Sequence, residues 1–348
     1  MIERIALSTA LVAAVVAWSC GGGPPATPAG ERAPSRPAGV KIGFLLDDTH
    51  ERWERDREMF VERARTLGAD VLVEAAGGDQ VKQNALADAM IAQGIGVLVL
   101  VPHGAEEAAG IVEKAKAARV PVISYDRLVR NADVDLYVTF DNTKVGEMQA
   151  RYLLNRAPRG GYVLIGGAQT DNNAKMYRDG QMKVLGPAVE AGAIRIVADP
   201  WTPRWQAAEA AALTTQALDK ARNRVVAVVA SNDVTAGGVI EVLQKRGLAG
   251  KVLVSGQDAE LEAARRIVAG TQAMTVYKPI GALARLAARA AVQLARGEPV
   301  DAATTVDNGR KAVPTMLLDP IVVDRSNLDT VLIGDGFHKR DAVYGAAK

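Results

Sequence analysis

Cysteine is almost absent from this chain, with one residue, Cys20, in 348. A single thiol excludes an intramolecular disulfide framework and any thiolate metal cluster. Histidine is nearly as scarce, and His50, His103 and His338 lie far apart with no ligand-like spacing. Aromatic residues make up only 4%, so each is worth locating. An excess of one charge is missing too: 42 Lys and Arg against 40 Asp and Glu leave a net +2, which gives no general pull toward nucleic acid or anionic lipid. The sequence contains no nucleophile elbow, no Gly-Lys-Ser phosphate loop and no Gly-x-Gly-x-x-Gly fingerprint. Gly166-Gly167 follows an apolar run but lacks the rest of that pattern. Catalysis is therefore disfavoured, and no cofactor and no metal are expected.

What is present is enough for real cores: 49% of residues are apolar, and the length suits two domains. The start reads as a targeting segment. Arg4 supplies positive charge, residues 5–18 are nearly all apolar, and small residues lead to Ser19-Cys20-Gly21. A run of about 14 residues is too short for a bilayer that needs roughly 20, so residues 1–20 read as an export signal. Ala17-Trp18-Ser19-Cys20 looks like a bacterial lipoprotein box, which makes Cys20 the candidate lipidation site. Residues 21–39, rich in Gly, Pro and Ala, read as a flexible tether reaching on the order of 25 Å. The expected location is periplasmic or cell-surface, with membrane contact only through the lipid.

From Val40 onward, short apolar strands alternate with helical spacing. Strands are predicted at 41–46, 71–75, 97–101, 120–125 and 136–140, with helices near 51–67, 80–92, 106–118 and 144–154 between and after them. The alternation then restarts, with strands at 162–165, 194–198, 225–230, 251–255 and 274–277 and intervening helices, followed by an alanine-rich helix at 280–295. This is an α/β chain with two wound parallel sheets. The halves echo each other: a strand, a turn, a helix and a second strand lead to Asp126 in the first and to Asp258 in the second. Two lobes that each aim an Asp from a strand end imply a shared cleft.

Polar tips cluster just past these strands. They are Asp47 and Asp48, followed by Arg52-Trp53; Asp126-Arg127; Asp171-Asn172-Asn173 with Lys175; Asn232-Asp233; Asp258; and Lys278. Together they offer acceptors and donors without a proton-transfer centre, which suits a small neutral polyol. Singly, each also fits a helix cap or a solvated loop, and capping is the better reading for Asp233. Asp126-Arg127 also fits a structural ion pair. Trp53 fits either a core position or a platform for a sugar ring.

Several strings in order resemble the bacterial D-xylose-binding members of the ribose/galactose-type solute-binding family that serves ABC transporters. They include Glu51-Arg52-Trp53-Glu54-Arg55-Asp56-Arg57, Ser124-Tyr125-Asp126-Arg127, Asp171-Asn172-Asn173-Ala174-Lys175, Ser255-Gly256-Gln257-Asp258, Met274-Thr275-Val276-Tyr277-Lys278-Pro279 and Asp335-Gly336-Phe337-His338. The resemblance implies two Rossmann-like lobes joined by a three-segment hinge, with residues 40–142 plus 279–316 in one lobe and 143–278 plus 317–348 in the other. It also implies a monomeric receptor for D-xylose or a close aldopyranose, bound by Arg52, Trp53, Asp126, Arg127, Asn173, Lys175, Asn232, Asp258 and Lys278. The implied partner is an ABC permease, or alternatively a membrane sensor. A repressor effector domain shares the fold, but the first 40 residues offer no basic helix-turn-helix.

Overall fold

The computed structural model describes residues 39–49 and 51–345. The expected export signal, Cys20, nearly all of the tether and His50 lie outside the described residues.

In the first lobe the chain runs β1 (Val40–Leu46), α1 (Glu51–Thr66), β2 (Ala69–Ala75), α2 (Gln80–Ala92), β3 (Val97–Leu100), α3 (Ala109–Ala117), β4 (Val122–Tyr125) and β5 (Leu136–Phe140). The second lobe follows with α4 (Asn142–Arg156), β6 (Gly160–Ile165), α5 (Asn172–Glu190), β7 (Ile194–Ala198), α6 (Ala207–Lys220), β8 (Ala227–Ala230), α7 (Asp233–Lys245), β9 (Leu253–Val254), α8 (Leu261–Val268) and β10 (Thr275–Tyr277). The chain then returns through α9 (Ile280–Ala295), β11 (Thr304–Asp307) and β12 (Ala312–Leu318). It crosses again to β13 (Ile321–Val323), a π-helical turn (Asp329–Ile333) and α10 (Arg340–Tyr344).

The first sheet has seven strands in the order β11-β12-β5-β4-β3-β1-β2, parallel except for the β11–β12 pair. Its central strands are buried on both faces, so they read as short, mostly apolar runs rich in β-branched and aromatic residues instead of alternating patterns. On one face, Trp53 and Phe60 of α1 and the alanine-rich stripe of α9 close a core over Ile42, Phe44 and Val99. On the other face, Met90 of α2 and Ile111 and Val112 of α3 pack against Leu45, Leu98 and Tyr137.

The second lobe carries a four-stranded parallel sheet, β7-β6-β8-β9, covered by α6 and α7 on one side and α4 and α5 on the other. A two-stranded antiparallel pair, β10–β13, completes it. Helices α4 and α5 cross at backbone contact: a Cβ on Gly146 would strike the Tyr177 carbonyl, and one on Gly180 the Thr143 carbonyl. Only glycine permits that approach.

The chain passes between the lobes at three places: β5 to α4, β10 to α9 and β12 to β13. Strand β12 stays paired with β5 through Leu318, so the first sheet runs two residues beyond 316, the expected end of that lobe's last segment. No helix among the described residues is long and apolar enough to cross a membrane.

Candidate functional site

The two lobes aim their strand ends at each other. β4 ends at Tyr125 and delivers Asp126 in the left-handed region, φ 60°, with Asp126 N–H donating to the Val138 carbonyl at 2.8 Å. β9 leads in the same way to Asp258, φ 97°, whose N–H donates to the Val276 carbonyl at 2.9 Å. Two non-glycine residues in the same uncommon conformation, at matching points of the two lobes, mark a place where the surrounding structure enforces backbone strain. Strain of this kind concentrates at ligand clamps.

Around these carboxylates runs a buried charge network. Arg52, only 6% exposed, places Nε 2.7 Å from Asp56, Nη2 2.6 Å from Asp126 and Nη1 2.9 Å from Asp258. The Tyr125 hydroxyl donates to the other oxygen of Asp56, which fixes that carboxylate behind Arg52. Arg127 reaches Asp47 with Nη1 at 2.6 Å and Asp171 with Nε at 2.8 Å. Lys278 stands 3.5 Å from Asp126, 3.4 Å from Asp258 and 3.3 Å from the Tyr177 hydroxyl. Asn173 donates from Nδ2 to both the backbone carbonyl and a carboxylate oxygen of Asp126, each at 3.1 Å. The pairs Arg52–Asp258 and Arg127–Asp171 each join one lobe to the other.

Protonation states are fixed by this crowding. Burial pushes the Asp126 carboxyl up, but Arg52 and Lys278 outweigh it and hold it well below the usual carboxylate range. Burial works against the charge of Arg127 too, yet Asp171 and Asp47 raise its pKa still further. The Tyr177 phenol is pushed well above its ordinary value by burial and then by the nearby carboxylates. The cavity therefore presents a fixed carboxylate, fixed guanidinium groups and a neutral phenol at neutral pH.

These groups surround one small cavity of about 40 Å³, room for roughly three or four waters. Arg52, Trp53, Asp126, Arg127, Asn173, Asn232, Asp258 and Lys278 all line it. Both Arg52 and Arg127 lie over the Trp53 ring, at 4.9 and 5.4 Å from its centre. Lys175 does not line the cavity, and its side chain is exposed. It lies two residues after Asn173 on α5, about 200° around the helix, so one of the pair must face away.

Asp171, one of the polar tips noted in the sequence, lines it too, and the structure adds Tyr177, Trp205, Val234 and Gln257. Tyr177 lies four residues after Asn173, on the same helix face. Trp205 rests against the backbone at Gly167, where a Cβ would strike its ring. The scarcity of aromatics was the signal available for Trp205. Its place before α6, where it reads as the first residue of a helix, concealed its role. Asp233 does not cap its own helix. That role belongs to Asn232, whose Oδ1 accepts from Thr235 N–H at 2.9 Å while Thr235 Oγ1 accepts from Asn232 N–H. Asp233 instead accepts from Thr275, Gln272 and the Glu260 N–H at the start of α8. Among the described residues no group of three or more His, Cys, Asp or Glu could hold a metal ion.

A family model described as a periplasmic binding protein domain matches residues 42–299. The chain belongs to this family. Similar relatives of this periplasmic binding protein include the D-xylose-binding periplasmic proteins of Haemophilus influenzae and Escherichia coli K12. They are each 48% identical, over 88% and 86% of this chain and 92% and 91% of theirs. A carbohydrate transporter solute-binding protein from Chloroflexus aurantiacus, solved with D-glucose, superposes with a TM-score of 0.82. It is 33% identical and is aligned over 97% of its length and 86% of this chain. In this binding protein, as the geometry above describes, the cavity lies where the strand ends of the two lobes meet.

Proposed function

We propose that this chain is an extracytoplasmic receptor that closes over D-xylose, or a close aldopyranose, and presents the closed form to an ABC sugar permease. The observation that carries the reading is the convergence of Arg52, Trp53, Asp126, Arg127, Asn173, Asn232, Asp258 and Lys278, from both lobes, on one small cavity between the strand ends. Charged donors and acceptors on all sides suit hydroxyls, and the Trp53 and Trp205 rings suit the apolar face of a pyranose. The relatives named for D-xylose support the choice of ligand.

Closure requires no chemistry. A ligand that touches both lobes only when they meet stabilises that arrangement by its differential affinity. In this reading the receptor binds as a monomer and turns nothing over. The lobes hinge where the chain crosses near 142, 278 and 318, and Cys20 carries a lipid that holds the protein at the membrane by its tether. Replacing Cys20 by Ala should release it, and membrane association that persists would refute the anchor. A thermal-shift screen over a dozen monosaccharides tests the function: D-xylose should raise the melting temperature most. A flat response to every sugar would reject it.

A further inference from the structure

The string Asp335-Gly336-Phe337-His338 lies outside the sugar cavity, yet it touches both lobes. On its own lobe, the Phe337 ring packs on Tyr277 with centres 4.8 Å apart, and His338, 4% exposed, places Nε2 2.7 Å from the Ala259 carbonyl. A carbonyl only accepts, so Nε2 carries the proton and Nδ1 presents its lone pair. From the other lobe, Arg55 of α1 sets its guanidinium 4.5 Å from the Phe337 ring centre. Its Nη1 donates to the Phe337 carbonyl at 2.7 Å, and its Nη2 lies 3.4 Å from His338 Nδ1.

These contacts run beside the sugar site on both sides. Arg55 follows Arg52 by three residues, so one helix face carries both. Ala259 directly follows Asp258, and both have positive φ, 97° and 56°. The carbonyl held by His338 is therefore one residue from the carboxylate that Arg52 grips.

We propose that Arg55, Phe337 and His338 form a latch beside the cavity, in which the C-terminal segment positions Asp258 through Ala259 and holds α1 when the lobes close. The proposal rests on the sugar-receptor reading and assigns these residues the residence time of the bound sugar. His338 also makes the latch acid-sensitive. The charged groups facing it are Glu51 and Arg55 from α1 and Arg265 from α8, and burial holds the imidazole below its ordinary pKa. Opening takes the Arg55 guanidinium away from Nδ1, where a second proton would sit, so the open form accepts that proton more readily and acid favours opening. Sugar release should quicken as pH falls through about 6.5, the ordinary histidine value. Asp233, Glu260 and His103 titrate nearby with raised pKa values, so the component owed to His338 is the part lost in His338→Gln, whose amide can still donate to Ala259; a profile unchanged by that substitution would remove His338 from the latch.

Stopped-flow release of D-xylose from the full chain tests the latch with Arg55→Met, which keeps the apolar stem, and Phe337→Leu, which keeps apolar bulk. Arg55→Met should raise the dissociation rate about fivefold, within the range of a desolvated cation–π contact, with the association rate within about twofold. Phe337→Leu should add little in the Arg55→Met background. An unchanged dissociation rate, or two effects that multiply, would overturn the latch. A wild type that binds no D-xylose defeats the function proposed above. The latch is then tested on whichever monosaccharide the melting screen selects, where an unchanged release rate in Arg55→Met refutes it, and it falls with the receptor reading if none binds.

Discussion

Asp126 meets Arg52 and Asn173 through its carboxylate and has Lys278 close by, so its removal strands cations in a buried space. Leaving a buried charged partner unsatisfied costs more than the net value of the bond itself. Asp126→Ala should weaken D-xylose binding about 100-fold or more, roughly 3 kcal/mol, in calorimetry on protein whose folding is verified by melting. Near-unchanged affinity would remove Asp126 from the site. At this scale the sequence was informative because strand ends announce themselves: an apolar β-branched run followed by Asp-Arg or Asn-Asp puts polar tips at the sheet's edge. It could not say which way a helical side chain points. Asn173 and Lys175 share one string, yet they leave α5 on different sides, and Tyr177, one turn on, takes the place facing the cavity.

Among the elements, α7 separates folding from binding most clearly. Asn232 uses its Oδ1 to cap the helix and lines the cavity as well. Serine caps about as well as asparagine but lacks the amide donor. Asn232→Ser should therefore stay within about 0.5 kcal/mol of wild type in urea unfolding while sugar affinity falls about tenfold. Equal losses in both would mean that Asn232 is a cap and nothing more. Most elements were legible from periodicity, from β1 through α9. The strands β11, β12 and β13 were not. β11 exposes Thr304, Thr305 and Asp307 at a sheet edge, and Pro314 interrupts β12, so neither shows an unbroken apolar run. These strands matter because β12 and β13 form the third crossing between lobes, which only the resemblance implied.

The whole molecule is two cores joined by a charged seam. Arg52–Asp258 and Arg127–Asp171 cross that seam in buried surroundings, where ion pairs roughly offset their desolvation and add little net stability. The sugar must therefore supply the bias toward closure. Charged hydrogen bonds contribute about 1.5–3 kcal/mol each, and a handful can offset closure and desolvation and leave roughly 8 kcal/mol, a micromolar site. The most direct test is isothermal titration of the purified protein with D-xylose. One site per chain with a dissociation constant of about 1 μM is the expected result. The absence of binding heat, together with an unchanged melting temperature, would contradict the reading of the cavity as a sugar site.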